Sequence, residues 1–181
     1  MLPSQTGDTS GWTARVGGHL SVRPEGSDQT SYSFQHSGRS SFIMGPKHAL
    51  KTQCLLEGVR YAFDAKIKLL DENDEPFACD KSHTWIDDKS CPLLTFQLEN
   101  EGSKSWNYYG NEAPGVWEAS IWNSFHTFFT VDNKIATAEN AYFYIERPRA
   151  GVSIIIDQVT ISRDCTDLIA NGNAEVCQMA K

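Results

Sequence analysis

The chain has 181 residues, with 16 basic and 23 acidic side chains and a formal net charge of −7 at pH 7. Its length is that of one ordinary domain, and 40% hydrophobic residues are too many for a disordered chain. The acidic balance opposes nucleic-acid binding, which depends on clusters of Lys and Arg. Every apolar run is shorter than a bilayer-spanning helix requires. Composition therefore predicts one soluble globular domain that binds neither nucleic acid nor membrane.

The predicted elements are short β-strands, which in chain order cover residues 19–22, 30–35, 61–69, 93–99, 117–131, 141–146 and 152–162. In 61–69 the odd positions are apolar and the even ones mostly polar, which is typical of a strand with one face on a core. Turn signals such as Gly45-Pro46 and Pro114-Gly115 separate the strands. The pattern predicts an all-β sandwich or barrel for residues 1–163. Residues 164–181 lose the alternation and are interpreted as a tail or linker.

Five cysteines bear on the compartment, and none has CxxC or zinc-finger spacing. Cys79 and Cys91 enclose a polar stretch, which predicts a disulfide worth about 3 kcal/mol; free buried thiols are the alternative. Cys54 and Cys165 flank two strong strands and form a second predicted pair, which leaves Cys177 without a partner. Disulfides favour an oxidising compartment. Because no signal peptide begins the sequence, we expect an excised piece of a longer secreted or cell-surface protein.

An ordered set of short segments resembles carbohydrate-binding modules of families four, nine and twenty-two. The segments are Gly38-Arg39-Ser40, Gly45-Pro46, Glu57-Gly58 leading into 61–67, the strand 141–146, and 156–161. The match extends over about residues 11–162. The resemblance implies a galactose-binding-like jelly roll, a β-sandwich that binds glycans without cleaving them.

The resemblance also identifies site residues. Arg39, Tyr144 and Glu146 match polar and aromatic residues of the family's binding cleft. Period-two alternation places Tyr142 on the same strand face as Tyr144 and Glu146. Sugars stack their C–H faces on aromatic rings and hydrogen-bond to planar polar groups, so such a face suits a glycan. Two alternatives stay open: a half-buried sheet face without a ligand, and a structural ion pair between Arg39 and Glu146.

One departure from the family pattern affects stacking. Some members place a Trp four residues after the matching Arg, where this chain has Ile43. Stacking is then expected from Trp106 and Tyr108, in a segment interpreted as a polar loop. Lys66 and Lys68 line the polar side of strand 61–69, and together with Arg39 they lead to the hypothesis of an anionic polysaccharide.

The resemblance further implies a structural calcium, for which Asp157 matches the carboxylate of the last strand. The family's other carboxylate comes from an opening Asn-Gly-x-x-Glu segment, which here appears only near the C-terminus, at 171–175. That segment either begins a following module or supplies the first strand of this one, with Glu175 as the ligand.

We therefore predict a non-catalytic glycan-binding module, extracellular and monomeric within a longer chain, that anchors a larger protein to a polysaccharide. The alternative is a structural or adhesive matrix or wall module without a sugar site. A polysaccharide-degrading jelly-roll enzyme ranks lower, because no G-x-S-x-G or comparable catalytic spacing is present.

Overall fold

The computed structural model describes residue 9 and residues 11–29, 32–82 and 88–164. These residues form ten strands and one short helix. The strands are β1 Thr13–Arg15, β2 His19–Arg23, β3 Ser33–Ser37, β4 Gly45–Ala49, β5 Arg60–Leu70, β6 Leu93–Asn100, β7 Ser103–Tyr109, β8 Asn123–Thr130, β9 Asn140–Glu146 and β10 Ser153–Arg163. The helix, α1, is Asn133–Ala136, and 3₁₀ turns occupy Ser27–Gln29 and Thr52–Cys54.

The strands form two antiparallel sheets of five. The first sheet has the order β1-β4-β9-β6-β7 and the second β2-β3-β10-β5-β8. Consecutive strands cross repeatedly between the sheets, which is the connectivity of a jelly-roll sandwich. The predicted all-β sandwich is therefore confirmed. In the described part of the chain, no helix has the length and apolar character to cross a membrane.

The core lies between the sheets and follows from strand alternation. In β5 the side chains of Phe63, Ile67 and Leu69 are buried, while Asp64 and Lys66 point outward. The facing strands contribute buried rings and aliphatic chains to the same cluster. Burial of such side chains contributes about 1.5–3 kcal/mol each, so this alternation accounts for much of the stability of the sandwich.

Three strands were not predicted from the sequence, namely β1, β4 and β7. The Gly45-Pro46 pair, predicted as a turn, lies inside β4. There Gly45 allows β4 to approach β9 closely, because a Cβ at this position would lie 1.8 Å from the Ile145 carbonyl oxygen. The strand predicted over 117–131 is confined to β8, and Trp117 is buried outside it.

The first cysteine prediction is confirmed by a Cys79–Cys91 disulfide. Cys54 is an exposed free thiol, and its predicted partner Cys165 lies outside the described residues, as do Cys177 and the whole 165–181 segment.

Candidate functional site

One face of the first sheet is turned away from the core and carries most of its aromatic side chains. Directly paired residues of antiparallel strands lie on the same side of a sheet. The registers of β4, β9, β6 and β7 give two adjacent rows, Lys47–Tyr144–Thr95–Tyr108 and Ala49–Tyr142–Gln97–Trp106. We call the surface formed by these rows, together with Arg15, Glu146, Glu99 and Lys104, the aromatic face.

Three rings of the aromatic face remain accessible. Trp106 is 41% exposed, Tyr108 is 55% exposed and Tyr142 is partly exposed. Trp106 and Tyr108 lie on the edge strand β7, so the predicted loop is wrong. Gln97 separates Tyr142 from Trp106, and two strand spacings place their backbones about 10 Å apart.

Charged and planar polar groups border these rings. The Gln97 amide donates to Glu99 Oε1 at 2.7 Å, and Lys104 Nζ lies 3.0 Å from the same oxygen. The hydrogen bond from Lys104, followed by that from Gln97, lowers the pKa of Glu99. The carboxylate is thus ionised beside an amide and an ammonium group. This border offers donors and acceptors beside the rings.

Beneath the accessible rings, Glu146 is held in an ion pair. Its side chain is buried, Thr95 Oγ1 donates to Oε1 at 2.7 Å, and Arg15 Nη1 donates to Oε2 at 2.7 Å. The Arg15 guanidinium also lies 3.9 Å from the centroid of the Tyr144 ring. Burial raises the pKa of Glu146 despite these partners, and burial, then the Glu146 charge, raises that of the Tyr144 hydroxyl.

Tyr144 and Glu146 therefore occupy the floor of the aromatic face, where they are 0% and 4% exposed. They were predicted as direct glycan contacts, yet in this arrangement Arg15 lies between them and solvent. Tyr142, the third residue of that prediction, stays accessible. Contact of these three residues with a ligand remains a prediction. The contacts of Tyr144 and Glu146 with Arg15 are part of the structure.

Arg15 was not identified from the sequence. It pairs with Gly45 across β1 and β4, and because Gly45 has no side chain, the arginine extends over β4 to Glu146 on β9. Its Nη1 also donates to the Ile43 carbonyl. A single arginine in a three-residue strand has no distinctive sequence pattern. The glycine opposite it in the sheet indicates its role, but that pairing is known only once the register of β1 and β4 is known.

The arginine chosen from the resemblance, Arg39, does not belong to the aromatic face, and its contact with a ligand stays a prediction. It is 3% exposed and donates to the carbonyls of Met44 at 2.8 Å, Val152 at 2.6 Å and Pro148 at 2.8 Å. Burial lowers its pKa to about 10. Among the described residues, Glu146 forms its ion pair with Arg15 and not with Arg39, so the alternative of an Arg39–Glu146 pair is wrong. Arg39 instead satisfies the carbonyl groups of two loops.

Lys66, another predicted site residue, also lies outside the aromatic face. It lies on β5, in the second sheet, and its Nζ donates to Ser124 Oγ at 3.2 Å on the outer surface. Lys68 beside it pairs with Glu25. The two lysines and Arg39 therefore lie outside the aromatic face, and the anionic hypothesis drawn from them stays a prediction.

Asp157 does not present a free carboxylate to a cation. Its Oδ2 accepts from Ser27 N at 2.7 Å and Ser27 Oγ at 2.9 Å, while Oδ1 accepts from Gln158 N at 2.7 Å. Calcium requires six to eight oxygen ligands. Among the described residues no three His, Cys, Asp or Glu side chains lie together as a metal site. The Ser27 and Gln158 groups that contact Asp157 donate hydrogen bonds to it. A calcium ion at Asp157 stays a prediction, and Glu175 lies outside the described residues.

A separate cavity of about 580 Å³ lies at one end of the sandwich. Trp12, Leu50, Leu55, Phe143 and Ile161 give it largely apolar walls. Sugar hydroxyls moved into such a cavity would lose hydrogen bonds to water, and its mainly apolar walls offer few groups that replace them. The aromatic face, with amide, carboxylate and ammonium groups beside its rings, is therefore the better candidate for a glycan site.

Comparison with protein-family models gives no match, and no curated protein matches the chain. Solved structures do. The CBM22-2 xylan-binding domain from Paenibacillus barcinonensis Xyn10C has 16% sequence identity and a TM-score of 0.68, covering 90% of this chain and 98% of that domain. The N-terminal CBM22-1-CBM22-2 tandem domain of the same protein has 19% identity and a TM-score of 0.66. The matched region covers 88% of this chain and 42% of the tandem.

A third similar structure contains the CBM22-1-GH10 modules of Clostridium thermocellum Xyn10B complexed with xylohexaose. Its identity is 19% and its TM-score 0.63, with 90% of this chain and 28% of that chain covered. At such low identity the similarity concerns the fold. The chain thus has the jelly-roll β-sandwich fold of these carbohydrate-binding modules, as the resemblance in its sequence predicted.

Proposed function

We propose that the chain is a non-catalytic glycan-binding module whose binding surface is the aromatic face. One observation carries the proposal: Tyr142, Trp106 and Tyr108 expose their rings on the same side of one sheet, beside the Gln97–Glu99 pair. Rings offer apolar faces to sugar C–H groups, and the planar polar groups match sugar hydroxyls. Exposed rings grouped in this way contribute nothing to the core.

The buried floor supports this surface by fixing its strands. Arg15, Thr95 and Glu146 come from β1, β6 and β9, and their hydrogen bonds join three strands of the sheet. A preorganised face loses less conformational entropy on binding than a mobile one. We infer that Glu146 and Arg15 position the accessible rings, and that the rings themselves contact the sugar.

The fold neighbours favour xylan or a related β-glycan as the ligand, since two of them are xylan-binding domains and another holds xylohexaose. The Cys79–Cys91 disulfide favours an extracellular location. In a longer chain such a module would raise the local concentration of its attached partner on a polysaccharide. These inferences extend the proposal from glycan binding to the anchoring of a longer protein on a polysaccharide.

The test is affinity electrophoresis of the chain in gels that contain xylan, mixed-linkage β-glucan, galactan or no polysaccharide. We expect retardation in at least one gel, and a loss of about tenfold in affinity for Trp106→Ala or Tyr142→Ala. Phe128→Ala is the matched control, because Phe128 is an aromatic residue on the outer surface of the second sheet, under Arg60. Equal mobility in every gel would refute the proposal.

A structural or adhesive module is the second candidate. The observation that favours it is the burial of Tyr144 and Glu146, which removes two predicted contacts from the accessible surface. If Trp106→Ala leaves every polysaccharide affinity unchanged while the chain still folds, this second candidate gains support.

A further inference from the structure

The aromatic face carries more positive than negative side chains. We propose that it selects a mostly neutral glycan that bears isolated carboxylates, such as single uronic-acid residues. This inference rests on the proposed function, because it assigns a class of glycan to the same surface. It differs from the anionic hypothesis drawn from the sequence, whose three cations lie elsewhere.

On this side, the first sheet and the residue after β9 carry four cations and two carboxylates. The cations are Arg15, Lys47, Lys104 and Arg147, and the carboxylates are Glu99 and Glu146. The whole chain has a net charge of −7. The aromatic face is therefore a local positive surface on an acidic protein, which attracts anions selectively.

Two of the cations already have carboxylate partners. Arg15 pairs with Glu146 at 2.7 Å and Lys104 with Glu99 at 3.0 Å. Within the part of the chain that the structure describes, Lys47 and Arg147 form no close ion pair; Lys47 acts on Glu99 and Arg147 on Glu146 only at longer range. Both carry charge that a ligand can satisfy.

Lys47 and Arg147 instead lie over the rings that a sugar would use. Lys47 Nζ is 4.3 Å from the centroid of Tyr142, and Arg147 Cζ is 5.8 Å from that of Tyr108. A cation over an exposed ring is held only weakly. A neutral sugar that stacks on Tyr142 displaces the Lys47 ammonium group from the ring and gives it no new partner. A uronic acid on the same ring gives the ammonium a charge-assisted hydrogen bond in return.

The charge of the rest of the protein limits how dense the ligand's charge can be. A polymer with a carboxylate on every sugar extends beyond the aromatic face, where it meets an acidic surface that repels it. A neutral backbone with occasional carboxylates avoids that repulsion and keeps the contacts with Lys47 and Arg147. Sparse substitution is thus favoured over a uniform polyanion.

Glucuronoxylan and gellan supply sparse carboxylates on two backbones, and chemical reduction of those carboxyl groups gives matched neutral forms. We expect at least one native polymer to bind about tenfold tighter than its reduced form at low ionic strength. The difference should shrink at about 0.5 M salt because the charges are screened. Polygalacturonate and dextran sulfate serve as densely charged probes of carboxylate and sulfate type, and we expect weaker binding to both.

The double variant Lys47→Gln/Arg147→Gln should bind native and reduced forms with equal affinity. Lys66→Gln/Arg60→Gln is the matched control on the second sheet, where Arg60 lies over Phe128 as Arg147 lies over Tyr108. The control should keep the preference of the wild type.

The outcomes separate this inference from the function beneath it. Equal binding of native and reduced forms by the wild type would overturn charge selection and leave glycan binding intact. Tighter binding of dextran sulfate or polygalacturonate than of either sparse polymer would overturn the sparse-carboxylate class. No binding to any native or reduced glycan would overturn both.

Discussion

Gly45→Ala should destabilise the protein, because Gly45 is the point at which β4 approaches β9 closely. An ideal Cβ at Gly45 lies 1.8 Å from the Ile145 carbonyl oxygen and 2.8 Å from its carbon. Both are backbone atoms of β9, so no side-chain rotation relieves the overlap. To restore an ordinary contact, β4 and β9 must separate locally by about 1.5 Å.

Such a separation exceeds what a ladder hydrogen bond tolerates. The neighbouring β4–β9 pairs are Lys47↔Tyr144 and His48↔Phe143. If two or three backbone bonds fail, at roughly 1–3 kcal/mol for each buried group left unpaired, the loss is about 3–5 kcal/mol. For a chain of this size that lowers Tm by about 10 °C.

The measurement is urea unfolding followed by intrinsic fluorescence, together with a thermal melt. Gly110→Ala is the matched control, because a Cβ there meets nothing within 4 Å and its backbone angle suits any residue; its free energy of unfolding should change by less than about 0.5 kcal/mol. Equal stabilities of the two variants would refute the close-approach argument for β4.

Four further predictions concern groups away from the rings. Burial is the main reason why the pKa of His36 is lowered. The folded-state pKa of His36 therefore lies below the unfolded value of about 6.5. The contribution of neutral His36 to stability is complete above about pH 6.5 and is lost as the pH falls through the folded-state pKa. The Tm of His36→Gln should accordingly depend less on pH between about 7 and 5 than that of the wild type, and an identical dependence would contradict this. Reduction of Cys79–Cys91, a link across 12 positions, should cost about 3 kcal/mol in urea unfolding, and a negligible loss would assign the bridge no role in stability. Arg39→Met leaves several loop carbonyls without donors and should lower the free energy of unfolding by about 3 kcal/mol or more, while a loss under about 1 kcal/mol would show that water replaces the guanidinium. The calcium predicted at Asp157 is tested by a thermal melt in EDTA: a bound ion requires a lower Tm that excess Ca²⁺ restores, and an unchanged Tm would contradict the prediction.

Strands with a clear apolar face could be predicted from the sequence. In β5 the buried residues fall at every second position from Phe63 to Leu69, because one side of the strand packs between the sheets, whereas in β6 and β9 residues of both faces are buried. The edge strand β7 lacks this signal. Its Ser103, Lys104 and Ser105 are all exposed, and the strand contributes only Tyr109 to the core, so its conformation depends on pairing with β6 rather than on its own pattern.

The site was harder to predict than the sheets, since its key contacts join residues far apart in the chain. Only Arg39 was selected from the sequence, and local pattern does not distinguish this loop-binding arginine from Arg15, which meets a carboxylate 131 positions away. Trp106 and Tyr108 were chosen correctly as exposed rings but assigned to a loop. Their position opposite Gln97 and Thr95 depends on a register that only the folded sheet defines.

The ion pair beneath the rings links stability to recognition. Burial raises the pKa of Glu146 although Arg15 and Thr95 both donate to it, so the environment as a whole disfavours its charge. Buried ion pairs of this kind often add little net stability, and we interpret this one as a device that holds β1, β9 and β6 in register. On that interpretation, Glu146→Gln should change the free energy of glycan binding more than the free energy of unfolding. The amide keeps the packing, while Arg15 loses its charged partner and can move towards the accessible rings. Urea unfolding and affinity electrophoresis of the same variant measure the two effects separately. A large loss of stability with unchanged affinity would assign the pair to the fold alone.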